Sequence, residues 1–102
     1  MNIQRETLEQ ALRRKGFERK QDGHHIYYHH KYKGKETGAY TYFSHSLKTK
    51  DITRDLLTQT RKQLKLDTNA QVAMLANCPM DAEQYNRILA AKGILHEDPS
   101  GS

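Results

Sequence analysis

The sequence predicts a small domain of the α+β class: a helix, three short strands and a helix, followed by two further helices. Three observations lead there. Apolar residues recur at helical spacing before residue 16 and again after residue 50. The stretch between them, 17–45, is rich in Tyr, Ile, Phe and Thr and is broken by Gly23, Gly34 and Gly38. Finally, 102 residues suffice for one modest core but not for two.

In the first element, over 2–15, Leu8, Ala11 and Leu12 share one helical face, and Gly16 is placed to end the helix as a left-handed cap. Strands are expected near 17–21, 24–32 and 39–45. The last two would form a hairpin through 33–38, a connection too long for a two-residue turn. From about Lys50 the helical period returns with Ile52, Leu56, Leu57 and Leu64, and Asp51 and Asp55 suit the positive end of that helix dipole. Asp67 or Thr68 can cap a short helix carrying Val72, Leu75 and Ala76 and stopped by Pro79. Asp81, with Gln84 three residues on, has the pattern of a capping box for a last helix through Tyr85, Ile88 and Leu89, closed by Gly93. The organisation expected is a domain over 1–66, a helical extension over 67–95 packed on it, and a flexible tail over 96–102.

Hydrophobic residues make up only 35% of the chain and tryptophan is absent, so the core must be small and the surface charged. The charge is uneven. Residues 1–66 carry fifteen basic and seven acidic side chains, a net +8, whereas 67–102 carry two and five, a net −3. A positive field confined to one segment attracts polyanions, of which nucleic acid is the commonest inside a cell, although charge of this size also serves plain solubility. The single Cys78 rules out an internal disulfide and, beside Leu75 and Pro79, reads as a packing residue rather than a nucleophile. Residues 1–10 are too polar for a signal peptide, and no apolar run approaches the roughly 20 residues of a membrane span, so a cytoplasmic location is expected.

Histidines are concentrated at His24, His25, His29, His30 and His45, within or beside the two longer strands. Alternation along a strand places His25 and His29 on one face and His24 and His30 on the other, so no adjacent pair chelates, and neither an HExxH helix nor a CxxC partner is present. No metal site is therefore expected. As acid-base groups they are better suited: an imidazole with a pKa of about 6.5 can take the proton from a ribose 2′-hydroxyl, which then attacks the neighbouring phosphorus, while Lys or Arg stabilises the extra negative charge. The plain structural reading treats the histidines as amphipathic sheet residues like Tyr27, Tyr28 and Tyr32, and fits His29 and His30 well.

His24 has a more particular setting. Asp22-Gly23-His24-His25-Ile26-Tyr27 follows the helix, Gly16-Phe17 and a strand. Next comes Thr41-Tyr42-Phe43-Ser44-His45, then Leu47-Lys48 leading to a helix with Ile52 and Leu57. Over about residues 4–66 this series resembles the HicA family of mRNA interferase toxins. That family combines a helix ending in Gly-aromatic, a strand, a Gly-Ser-His-His motif, a strand ending near a histidine, and a short basic approach to a second helix. The resemblance implies a three-stranded antiparallel sheet with helices on one face, related to the double-stranded RNA-binding fold. It also implies cleavage of mRNA, neutralisation by a HicB-like antitoxin that covers the active site, and a catalytic histidine at His24. The sequence departs from the pattern at Gly23, where the family usually has serine, and at Asp22, where it usually has glycine and where a carboxylate would repel phosphate. It also continues past the second helix.

The leading expectation is thus a metal-independent, cofactor-free endoribonuclease acting on mRNA. His24 would be its general base or acid, His45 a second proton-transfer or orienting group, and Lys20, Lys48 and Lys50 the phosphate contacts. The alternative is a non-catalytic nucleic-acid binder of the same fold, gripping phosphates with Lys31, Lys33 and Lys35 on the hairpin, a reading that Asp22 favours. A third class is a protein-interaction module docking through the last two helices, which exposed Val72, Met74 or Ile88 would mark. The orientation of His24 is left open by alternation. If Ile26 faces the core His24 points inward with it, and if Tyr27 does His24 points to solvent.

Overall fold

A computed structural model describes residues 3–44, 52–77 and 80–95. The elements are α1 (Arg5–Arg14), β1 (Phe17–Asp22), β2 (His25–Tyr32), β3 (Lys35–Ser44), α2 (Arg54–Gln63), α3 (Asn69–Asn77) and α4 (Ala82–Ala91), in the expected order. Their starts follow from local chemistry. Thr53 caps α2, its hydroxyl accepting from the Leu56 amide at 3.3 Å, so that helix begins at Arg54 rather than near Lys50. Thr68, not Asp67, caps α3: its hydroxyl accepts from the Gln71 amide at 3.2 Å while the Gln71 side chain accepts from the Thr68 amide at 3.1 Å. Asp81 and Gln84 form the expected capping box of α4, at 2.8 and 3.1 Å.

The sheet is antiparallel in the order β1-β2-β3. Both hairpins are tight. The β2–β3 connection is only Lys33-Gly34, both at positive φ (52° and 81°), the arrangement of a type I′ turn. The longer loop expected over 33–38 is therefore not formed. Lys35 already pairs with Tyr32, and the extra residues before Tyr40 are taken up by a register shift opposite His29 and Lys31.

One face of the sheet is covered. Ile26, Tyr28 and His30 of β2, with Ala39, Thr41 and Phe43 of β3, point into the protein. The apolar ones join a single cluster with Leu8 and Leu12 of α1, Leu57 of α2, Val72 and Leu75 of α3, and Tyr85 and Leu89 of α4. Polar closures accompany this packing: Tyr28 Oη donates to Glu9 at 2.6 Å and Tyr85 Oη to the Leu64 carbonyl at 2.7 Å. Of the three residues whose exposure would mark a docking arm, Val72 is fully buried, Ile88 packs half-buried against the core, and Met74 alone is exposed. Among the described residues no helix is long and apolar enough to cross a membrane.

Candidate nucleic-acid interface

Asp22 pairs with His25, which leaves Gly23 and His24 as the two central residues of the β1–β2 turn. Gly23 stands at φ +60° and His24 does not share the positive φ, the pattern of a type II′ turn with glycine first. Glycine at position 23 thus has a physical reason, because a side chain at this φ is strained. The turn also settles the orientation of His24. Ile26 is buried, yet His24 is exposed, since alternation holds only for residues within the ladder. Among the described residues nothing hydrogen-bonds or pairs with its imidazole. Exposed Asp22 and His25 share this end of the sheet, as does Ser44, which pairs with His25. His45, Lys48 and Lys50 lie outside the described residues.

The expected lysines that are described, Lys20, Lys31, Lys33 and Lys35, do not gather around His24. Lys20 lies midway along β1 opposite Tyr27. Its ammonium is 3.7 Å from Glu18, whose carboxylate lies closer, 2.7 Å, to Lys31. The hydrogen bond with Lys31 holds Glu18 below the usual carboxylate range and raises Lys31 above the usual ammonium value. Lys33 and Lys35 are exposed at the far turn, Lys33 lying 5.4 Å from the centre of the Tyr32 ring. Among the described residues, neither is within ion-pair distance of a carboxylate. Eight residues of β2 separate this turn from His24, roughly 25 Å at about 3.3 Å per residue.

Between those ends runs the open face of the sheet, where register brings together rings that are far apart in sequence. Tyr27 pairs with Tyr42 and His29 with Tyr40, with ring centres 5.4 and 5.6 Å apart. Along β2, Tyr27 lies 5.8 Å from His29 and 6.0 Å from His25; along β3, Tyr40 and Tyr42 are 6.5 Å apart. His25 meets the edge of Tyr42 at 5.3 Å. Tyr40 is 38% exposed, the others partly or fully so. The Gln59 side chain donates to Tyr42 Oη at 3.4 Å, and Glu36 lies 3.8 Å from His29 Nδ1. Reading the sequence residue by residue passes over this array. The alternation of Tyr and His on β2 was visible, but its partners on β3 follow from the Lys33-Gly34 turn together with the register shift between His29 and Lys31.

His30 belongs to the opposite, covered face. It is 1% exposed, with Nδ1 2.9 Å from the Thr37 hydroxyl and Nε2 3.0 Å from Asn86 Oδ1. The neutral ring satisfies both, accepting from Thr37 and donating to Asn86. The rings of Phe17 and Tyr85 each lie 5.0 Å away, and burial pushes the His30 pKa below the ordinary imidazole value. Its role is to join β2 to α4. Among the described residues no three His, Cys, Asp or Glu side chains are grouped to hold a metal ion. Compared with known protein families, with curated proteins and with solved structures, the chain finds no match in any of the three.

Proposed function

We propose that the protein acts on RNA in the cytoplasm as a HicA-like, metal-independent endoribonuclease with His24 as its acid-base group. The observation that carries this reading is the placement of His24: at the apex of a tight turn, exposed and engaged by no neighbour among the described residues, in a chain whose first 66 residues carry the positive charge. An imidazole so placed can approach a ribose 2′-hydroxyl, remove its proton and let the oxygen attack the adjacent phosphorus, breaking the bond to the 5′-oxygen of the next nucleotide, which takes a proton from the imidazolium or water and leaves a 2′,3′-cyclic phosphate behind. Lys20 is a described cation on the adjoining strand that a bound phosphate could meet. A HicB-like antitoxin covering the Gly23-His24 end is the protein partner this reading carries.

The test is cleavage of a labelled single-stranded RNA with EDTA present. The wild type is expected to cleave, and His24→Ala to lose roughly 10²–10⁴-fold in rate. Because the His24 side chain is exposed, the variant should keep its circular dichroism. Equal cleavage by the two proteins refutes the assignment.

Asp22 favours a second reading, a nucleic-acid binder without catalysis, because its exposed carboxylate stands two residues from His24 and repels phosphate there. Absence of cleavage by either protein, with RNA binding retained and weakened by salt, would select it.

A further inference from the structure

We propose that the open face of the sheet is a stacking platform for single-stranded RNA, along which a strand runs from the lysine-bearing β2–β3 turn to His24; this inference rests on the RNA reading above and names its substrate class. Tyr28, Phe43, Tyr85 and Phe17 show that this protein buries its aromatic rings wherever packing needs them. The rings of Tyr27, Tyr40 and Tyr42 with His25 and His29 form a contiguous, at least partly exposed array, touched by α2 only through Gln59 at Tyr42 among the described residues, in two registered rows with neighbouring centres 5.3 to 6.5 Å apart.

The chemistry such an array offers is the flat face of a ring to the flat face of a base. Bases in a duplex are already stacked on one another, so only an unpaired strand can present them. The charges fit a strand lying lengthwise. In the middle of the face Lys20 and Lys31 are offset by Glu18, while Lys33 and Lys35 are cations without carboxylate partners among the described residues and stand at one end. Phosphates are therefore held at the lysine end and bases along the middle. At the other end the strand reaches His24, roughly 25 Å away along β2. The two groups of candidate residues that the fold separates become the two ends of one binding track.

The experiment measures binding by fluorescence anisotropy of a labelled 2′-O-methyl oligouridine, which lacks the 2′-hydroxyl and cannot be cleaved, and of a fully paired RNA duplex of the same length. The wild type is expected to prefer the single strand. Tyr27→Ala and Tyr42→Ala should each weaken that binding about tenfold or more, whereas Tyr27→Phe and Tyr42→Phe, which keep the ring, stay near wild type. Ring signals of the wild type followed by NMR during titration provide a second readout that needs no substitution, and those of Tyr27, Tyr40 and Tyr42 should move. Ala variants that bind like the wild type, unmoved rings, or a preference for the duplex would each overturn the platform, while RNA cleavage dependent on His24 would stand. No binding of either oligonucleotide together with no RNA cleavage would overturn both readings.

Discussion

His29 and His30 are neighbours on β2, yet one step along the strand reverses their circumstances. His30 is sealed between Phe17 and Tyr85 and hydrogen-bonded through both nitrogens to residues seven and fifty-six positions away. His29 lies on the open face between Tyr27 and Tyr40, with a glutamate 3.8 Å off. Tyr28 and Tyr27 repeat the contrast, the first buried with its hydroxyl on Glu9, the second part of the exposed array. Residue type therefore does not separate the structural from the available side chains in this sheet. The pleat does, and the two tight turns fix which residues follow it.

If the covered face is the one that holds the fold together, the largest loss should come from Tyr85→Ala, which removes a fully buried ring and its bond to the Leu64 carbonyl. About 3–5 kcal/mol is expected from chemical denaturation. A loss under about 1 kcal/mol would mean that α4 is only loosely attached, far from the usual cost of such a deletion. His30→Ala should follow at about 2 kcal/mol, since it opens a space beside Phe17 and leaves Asn86 and Thr37 without their partner.

Acid sharpens the same contrast. His30 is held neutral in the fold with a lowered pKa, so its contribution is complete above the unfolded value of about 6.5 and is lost as pH falls through the folded one, by up to about 1.4 kcal/mol per pH unit. Urea titrations at pH 7.5, 6.5 and 5.5 should show that slope in the wild type and a shallower one in His30→Gln. Parallel curves would place the acid sensitivity elsewhere. The smallest effect belongs to the open face: His29→Ala and Tyr40→Ala should each change stability by no more than about 0.5 kcal/mol in the same assay. A cost above about 1 kcal/mol would make the exposed array part of the scaffold.

The order of elements was legible because each carries its own period or cap within a few residues, as Asp81 and Gln84 do for α4. The strand boundaries were less so. Lys33 at positive φ is an unusual choice for a type I′ turn, and missing it postponed β3 from Lys35 to residue 39. The same limit governs the candidate site. His24 could be singled out by its neighbours in sequence, but its exposure depended on whether Gly23 and His24 stood in the ladder or turned out of it. Asn86 as the partner of His30, and Tyr42 as the partner of Tyr27, are products of tertiary closure and register, which no local pattern encodes.

The three-stranded order has one more consequence, for how copies of this chain behave beside one another. β2, running His25-Ile26-Tyr27-Tyr28-His29-His30 before its first lysine, has a strong tendency to recruit another strand, and both of its sides are already occupied. Of the two strands at the edges of the sheet, β1 carries an Arg19-Lys20-Gln21-Asp22 run that is exposed and mostly charged, so a second molecule adding there would have to strip water from those charges. The molecule thus keeps β2 in the centre of the sheet and presents at β1 an edge that resists extension into fibrils.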